Sequence, residues 1–196
     1  MADAPLVILA AGGTGGHLFP AEALGAELMK RGCRVRLITD ARAIRYSGLF
    51  SSDMIDVVPS ETVRSRTPWS LAYTGVMLGA GAAKAAALMT KWKPAAVIGF
   101  GGYPTLPPLA AARLLRIPTL IHDSNAVLGR ANRLLSTRVS AIATSLPGVL
   151  DRDPALAGKT MVTGTVLANR SSRSATATRL RPAVAGVLRS VSVGTR

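Results

Sequence analysis

The chain has 196 residues, one cysteine, two histidines and a formal net charge of +14. This length allows one domain with a sizeable core and a tail, and it is too short for two complete α/β domains. The single cysteine, Cys33, excludes a disulfide within the chain, and no basic segment followed by a long apolar run marks a secretory signal at the N-terminus. We therefore expect a cytoplasmic protein.

The positive charge is divided between two parts of the chain. Residues 1–153 contain all ten acidic residues and carry a net charge of +7, and residues 154–196 contain no acid and carry the other +7. A basic domain indicates an anionic surface or substrate. Nucleic acid is not an expected partner, because the basic residues are not interleaved with stacking aromatics and no nucleic-acid-binding motif is present.

Strand-like and helix-like patterns alternate from the N-terminus, which predicts an α/β fold with a Rossmann-like, doubly wound parallel sheet. Apolar runs predict strands at 6–11, 33–39, 55–58, 95–98, 118–122, 139–144 and 160–163. Helical periodicity and capping residues predict helices at 19–31, 69–92, 109–115 and 129–137. Pro20 is expected near the start of the first helix, and Gly32 is expected to end it.

Two glycine-rich loops follow predicted strands, at residues 12–17 and 99–104. Backbone without Cβ atoms lets N–H groups approach an anion closely, and the start of the following helix adds an attractive field. Both loops, together with residues 123–125, fall at the carboxyl ends of strands, where ligands bind in such sheets. The pattern predicts a site for a pyrophosphate or for two ligands that carry phosphate.

Other nucleotide and metal motifs fit less well. The dinucleotide pattern needs a small residue where Leu18 stands, although Asp40 at the end of the second strand could still hold a ribose, so a nicotinamide-binding protein stays open. No Gly-Lys-Ser/Thr follows either loop, which excludes a P-loop. Asp151 and Asp153 resemble a metal-binding Asp-x-Asp pair, but they lie beyond a core strand in a predicted turn. We expect no metal site.

Three polar residues near the strand ends each have two interpretations. His17 could be a helix-start residue with local hydrogen bonds, or it could act directly beside the first loop. Asn125 could cap a turn or bind a ligand. His122 has apolar neighbours at a strand end, and we expect a structural role for it.

Residues 67–83 carry no charge and include Gly75 and Gly79 at GxxxG spacing. A transmembrane helix is one interpretation, but Lys84 interrupts the run and alanine and glycine dominate it. We expect a buried crossover helix. The best functional alternative is a helix at a membrane surface, with anionic lipid near the basic residues Arg64, Arg66, Lys84, Lys91 and Lys93.

From Thr165 onward the sequence is rich in Arg, Ser, Thr and Ala and has no hydrophobic period. We expect domain boundaries at 1–164 for the folded part and 165–196 for a disordered basic tail. An out-of-frame or truncated end would give this composition.

Three motifs together resemble the N-terminal domain of the MurG family. They are GGTGGHxxPA at residues 12–21, GFGGYP at 99–104, and IHxxNAVxGxANR at 121–133. The similarity covers residues 5–164 in order and at the family's spacing. This family transfers N-acetylglucosamine from UDP-N-acetylglucosamine (UDP-GlcNAc) to lipid I, giving lipid II of the bacterial cell wall.

The resemblance implies a GT-B fold, of which this chain would supply the N-terminal, acceptor half. It implies a peripheral position on the cytoplasmic face of the inner membrane and no cofactor. His17 would be the general base. The resemblance places UDP-GlcNAc against Thr14, Gly15, Gly16 and Asn125, and the acceptor pyrophosphate against Gly13, Gly101, Gly102 and Tyr103.

The sequence departs from the family at two places. Asp123-Ser124 stands where the family usually has Glu-Gln, which puts a donor contact by this pair in doubt. After Gly164 the family's Pro-Val-Arg and its donor domain are not found, and the chain continues Thr165-Val166-Leu167-Ala168. We therefore expect the C-terminal donor domain to be absent and the isolated chain to be inactive. A lipid- or membrane-binding fragment without catalysis is the alternative.

Overall fold

The computed structural model describes residues 4–12, 14–42, 48, 50–63 and 65–164. Seven strands and five helices alternate along this part of the chain. The strands are β1 Leu6–Ala10, β2 Arg34–Thr39, β3 Ile55–Val57, β4 Ala96–Gly99, β5 Thr119–Asp123, β6 Ala141–Thr144 and β7 Thr160–Val162. The helices are α1 Gly15–Lys30, α2 Pro68–Trp92, α3 Leu106–Leu114, α4 Arg130–Ser136 and α5 Pro154–Ala157.

All seven strands form one parallel sheet in the order β3-β2-β1-β4-β5-β6-β7. This confirms the predicted doubly wound fold. The strand order reverses between β1 and β4, which pair in register with Ala10 opposite Gly99. Because ligands bind at such a reversal, beyond the carboxyl ends of the strands, the two glycine loops lie at the expected place.

The core has two sides, because successive residues of each strand point to opposite faces of the sheet. Val7 and Leu9 of β1 pack with α1 on one face. Ile8 packs on the other face, which α2 to α5 cover through Met89, Leu109 and other apolar side chains. The central strands β1, β4 and β5 are buried on both faces, which explains their nearly continuous apolar sequences.

Helix α1 begins at Gly15 and not at residue 19 as the sequence predicts. Thr14 is extended, with φ −148° and ψ 158°, and its carbonyl accepts from the N–H groups of His17 and Leu18 at 3.2 and 3.3 Å. These bonds close the first helical turn four residues before the predicted start. Gly15, Gly16 and His17 therefore belong to that turn, and Pro20 lies inside the helix.

Helix α2 connects β3 to β4, as predicted, but the prediction that it is buried is wrong. Its 25 residues extend roughly 37 Å, which is longer than any strand of the sheet, and most residues of its first half are exposed. Trp69 is 84% exposed and Val76 is 69% exposed. By length and composition α2 could cross a membrane, and 17% of its most apolar 18-residue stretch is buried.

Candidate active site

The two glycine loops touch each other at the carboxyl edge of the sheet. A methyl group on Gly12 would lie 2.6 Å from Cβ and Cγ of Pro104 and 3.0 Å from Oδ1 of Asp40. Real side chains do not approach so closely, so only glycine lets the loop after β1 pass under Pro104. The N–H of Phe100 also donates to the carbonyl of Ala10 at 2.9 Å.

His17 lies against the second glycine loop. Gly101 and Gly102 have φ values of 100° and 81°, which L side chains rarely adopt. A methyl group on Gly101 would come within 3.0 Å of Nδ1 and Cε1 of His17. A hydrogen bond holds the second loop in this conformation: the hydroxyl of Thr105 donates to the carbonyl of Gly102 at 2.8 Å. The structure thus brings His17, Gly101 and Gly102 together.

The donor-site residues expected in the first loop lie at the open side of this edge. Thr14 and Gly16 are exposed, and the Thr14 side chain does not cap α1. Gly15 packs closely on Phe19, since a methyl group there would lie 2.9 Å from Cε2 of the ring. Gly13 lies outside the described residues.

The carboxylate of Asp123 organises the loop that carries Asn125. Its Oδ1 accepts from the backbone N–H and the Nδ2 of Asn125 at 3.0 and 2.9 Å, and its Oδ2 accepts from Gly129 N–H at 2.8 Å and Asn132 Nδ2 at 2.9 Å. Asp123 is 2% exposed. The carboxylate therefore points into the protein and holds the 123–132 loop, while the neighbouring Ser124 is exposed.

Asn132 lies between this loop and the second glycine loop. Its Nδ2 also donates to the carbonyl of His122 at 3.1 Å, and it lies 3.5 Å from the position that a methyl group on Gly101 would occupy. Its Oδ1 is buried and has no hydrogen-bond partner among the described residues. An unused buried acceptor is rare in proteins, so this oxygen is an exception within the loop that Asp123 holds.

His122 is buried behind the site and does not reach it. Its ring packs against Phe100, with the ring centroids 5.7 Å apart, and Nε2 lies 3.4 Å from the hydroxyl of Ser145. Burial lowers the pKa of His122 to about 4, against the opposing charge of Asp123. The imidazole is thus neutral near pH 7, which supports the structural role expected from its apolar neighbours.

Two carboxylate motifs from the sequence do not form ligand sites here. Asp40 is buried and forms an ion pair with Nε of Arg42, so it is not free to bind a ribose. Asp153 caps α5 by accepting from Ala155 N–H at 3.1 Å, and Asp151 lies in an exposed turn. Within the described ranges no three His, Cys, Asp or Glu side chains cluster as metal ligands would.

From the sequence, Asp123 was expected only at the ligand-binding strand ends, with a doubtful donor contact, and Asn132 was given no role of its own. A partial signal was present, because an Asp two residues before an Asn is typical of a turn in which the carboxylate accepts a nearby N–H. The bond between Asp123 and Asn132 spans nine residues and depends on the position of α4, so no local pattern could reveal it.

The sequence matches the glycosyltransferase family 28 N-terminal domain over residues 7–144. Curated relatives are called UDP-N-acetylglucosamine–N-acetylmuramyl-(pentapeptide) pyrophosphoryl-undecaprenol N-acetylglucosamine transferase. The relative from Rhodopseudomonas palustris strain HaA2 is 81% identical over 165 residues, which are 84% of this chain and 45% of the relative. That from Bradyrhizobium sp. strain ORS 278 is 67% identical over 194 residues, which are 99% of this chain and 53% of the relative. The chain thus spans about half the length of these relatives.

Solved structures show the same architecture. Acinetobacter baumannii MurG superimposes with a TM-score of 0.67 and 30% identity, over 85% of this chain and 47% of that one. Staphylococcus aureus MnaA, solved with UDP, has a TM-score of 0.61 and 11% identity over 83% of this chain and 44% of that one, a likeness of fold alone. The described sheet is the N-terminal half of a GT-B fold. The chain belongs to glycosyltransferase family 28, and residues 7–144 form the N-terminal domain of its MurG type.

Proposed function

We propose that this chain is the acceptor half of an inverting transferase that moves N-acetylglucosamine from UDP-GlcNAc to lipid I, giving lipid II. The observation that carries the proposal is the meeting of His17 with Gly101 and Gly102 at the carboxyl edge of the sheet. The names of the curated relatives supply the two substrates.

His17 is the general base in this proposal. The C4 hydroxyl of the acceptor sugar attacks the anomeric carbon of N-acetylglucosamine, the bond from that carbon to UDP breaks, and UDP leaves with the electron pair. The imidazole of His17 takes the hydroxyl proton. The His17 side chain is partly exposed at this edge, as a base that takes a proton from a bound substrate must be.

The loops provide separate surfaces for the two substrates. We propose that Thr14, Gly15, Gly16 and Asn125 meet UDP-GlcNAc held by the donor half; the exposure of Thr14, Gly16 and Asn125 supports this. Gly13, Gly101, Gly102 and Tyr103 are assigned to the acceptor pyrophosphate. Supporting this assignment, neither Gly101 nor Gly102 donates its N–H to a backbone carbonyl of the described residues.

The first half of α2 is proposed to dock on the anionic cytoplasmic face of the inner membrane. Its exposed apolar side chains are Trp69, Leu71, Tyr73 and Val76, and basic side chains lie before and after them. Apolar insertion and attraction to anionic lipid act together at such a surface. Arg64, one of the basic residues assigned to this surface, lies outside the described residues.

Residues 1–196 alone should not catalyse transfer. Holding two substrates in a reactive geometry lowers the barrier by roughly 7–11 kcal/mol, and the half that is proposed to hold UDP-GlcNAc is not part of this domain. The non-catalytic alternative, a fragment that only binds membrane or lipid, predicts the same inactivity. The two proposals differ once a donor half is supplied.

Fusion to a donor half tests the proposal. Residues 1–164 are joined to the C-terminal half of the Rhodopseudomonas palustris relative, and transfer of radiolabelled N-acetylglucosamine to a short-chain lipid I is measured. We expect turnover, and we expect His17→Ala to lower kcat by about 10²–10⁴. A folded fusion without turnover supports the non-catalytic alternative, and an unchanged kcat in His17→Ala removes the base assignment.

Membrane docking is tested by co-sedimentation with phosphatidylglycerol vesicles. Trp69→Ser together with Val76→Ser should weaken binding of the chain at low salt, whereas Leu114→Ser, which removes an equally exposed apolar side chain from the end of α3, should not. High salt should weaken binding of the unaltered chain. Equal losses in both variants would contradict docking through α2.

A further inference from the structure

A pocket of about 480 Å³ opens beside the second glycine loop. It is lined by Val63, Ser65, Arg66, Tyr103 and Arg130. Three separate segments contribute to it: the chain before α2, the turn after the second loop, and the start of α4. We refer to these five residues as the arginine pocket.

The arginine pocket differs in charge from the other described pockets. The pocket between α4 and α5 is lined by one acid, Asp153, as well as by arginines. The pocket at the opposite edge of the sheet is also lined by one acid, Asp53, as well as by basic residues. No carboxylate lines the arginine pocket. Within the described part of the chain, neither Arg66 nor Arg130 forms an ion pair. Two arginines without an ion-pair partner among the described residues therefore line one cavity.

Its donors suit phosphate. Each guanidinium offers five N–H groups in a planar fork that matches phosphate oxygens, and the hydroxyls of Ser65 and Tyr103 add two more donors. The repulsion between two like charges is relieved when a multiply charged anion lies between them. A pyrophosphate provides that charge in one small group.

The position of the arginine pocket connects it to a lipid-linked substrate. On one side Tyr103 directly follows Gly102, which lies against His17. On the other side Arg66 comes two residues before Pro68, the first residue of α2, and the exposed Trp69 follows. A group bound here would lie between the reacting sugar at His17 and the apolar end of α2. In a prenyl-linked sugar, the pyrophosphate lies between the sugar and the hydrocarbon.

We propose that the arginine pocket binds a phosphate of the prenyl pyrophosphate in the acceptor, and that Arg66 and Arg130 supply the positive charge that the glycine loops lack. This inference rests on the proposed function and assigns a substrate-binding role to two arginines. Phosphate on membrane lipid headgroups is the other source of the same chemistry, and the experiment separates the two sources.

The test measures how tightly the whole chain binds inorganic pyrophosphate and geranyl pyrophosphate. Titration calorimetry at low salt and without membrane gives both affinities. Arg66→Gln with Arg130→Gln should weaken binding of both ligands at least tenfold. The matched control is Arg113→Gln with Arg138→Gln, which removes the same charge from the C-terminal end of α3 and from the turn after α4. The control should change the affinity less than twofold.

Three results would overturn the inference. They are no pyrophosphate binding by the unaltered chain at millimolar concentration, equal weakening in the two double variants, and loss of phosphatidylglycerol vesicle binding in the pocket variant with unchanged pyrophosphate binding. Urea unfolding of each variant confirms that it is folded. Since the titration needs no turnover, a failure of the fusion enzyme with intact pyrophosphate binding would count against the transferase and not against the pocket.

Discussion

Removing the carboxylate of Asp123 should destabilise the domain and release the loop that carries Asn125. In Asp123→Ala, two of the four donors lose their partner while buried or partly buried: Gly129 N–H and one N–H of Asn132. The two donors on Asn125 are exposed and can bind water instead. An unsatisfied buried donor costs about 1–3 kcal/mol, so we expect the free energy of unfolding to fall by about 2–5 kcal/mol.

Asp123→Asn should cost less, about 1–2 kcal/mol. The amide can keep its oxygen towards Gly129 and Asn132 and turn its NH₂ group towards Asn125. The charge of the acceptor and the two bonds from Asn125 are then lost, but the exposed Asn125 donors can bind water. Ser124→Ala is the matched control, because Ser124 is exposed and next in the chain. It should stay within about 0.5 kcal/mol of the unaltered protein.

Urea unfolding followed by circular dichroism measures these differences, provided that the slopes with denaturant agree. In the fusion enzyme, Asp123→Ala should also raise the KM for UDP-GlcNAc, because the carboxylate no longer holds Asn125 in place. If Asp123→Ala unfolds at the same urea concentration as Ser124→Ala, the four hydrogen bonds do not support the loop and the reasoning is wrong.

Three further predictions concern the scaffold of the site. Gly81→Ala should destabilise the protein by more than about 2 kcal/mol, since its methyl group would lie 2.0 Å from the carbonyl oxygen of Pro59. Gly79→Ala has open space around the new methyl group and should stabilise α2 by about 0.5–1 kcal/mol. Urea unfolding of the two variants checks both values. Gly101→Ala should lower kcat of the fusion enzyme by at least about tenfold, because φ is 100° there and the methyl group would push against His17; unchanged kinetics would contradict the tight contact. His122 binds a proton below pH 6.5 in the unfolded chain but only near pH 4 in the folded one, so stability present at pH 7 should fall by about 3 kcal/mol as the pH drops from 6.5 to 4. His122→Gln should lose that part of the pH dependence, and an identical pH profile would refute the assignment.

The sheet was predictable because its signals are local. Each buried strand is a short apolar run bounded by glycine, proline or polar residues, and the alternation with helices fixes parallel pairing. The start of α1 was not predictable in the same way. A helix that begins with two glycines contradicts intrinsic propensity, and only the extended Thr14 and its carbonyl bonds determine where the turn closes.

The exposure of α2 could not be predicted from amino-acid composition. An uncharged, alanine-rich helix is the same sequence whether it is buried in a core or placed at a surface. Tertiary contacts decide which of its side chains are covered: Thr74, Gly81, Ala85 and Met89 are the buried residues of α2, and Gly81 packs against the carbonyl of Pro59. The contacts of the candidate site were equally hidden, because His17 and Gly101 are far apart in the chain and meet only through the pairing of β1 with β4.

The binding position of the acceptor tests the central claim most directly. A short-chain lipid I is titrated into the ¹⁵N-labelled chain, and the amide shifts are followed by NMR spectroscopy. The account predicts saturable shifts at His17, Gly101 and Tyr103, at the carboxyl edge of the sheet. Shifts confined to the pocket at the opposite edge, around Cys33 and Trp92, or no shifts from a folded chain at millimolar ligand, would contradict it.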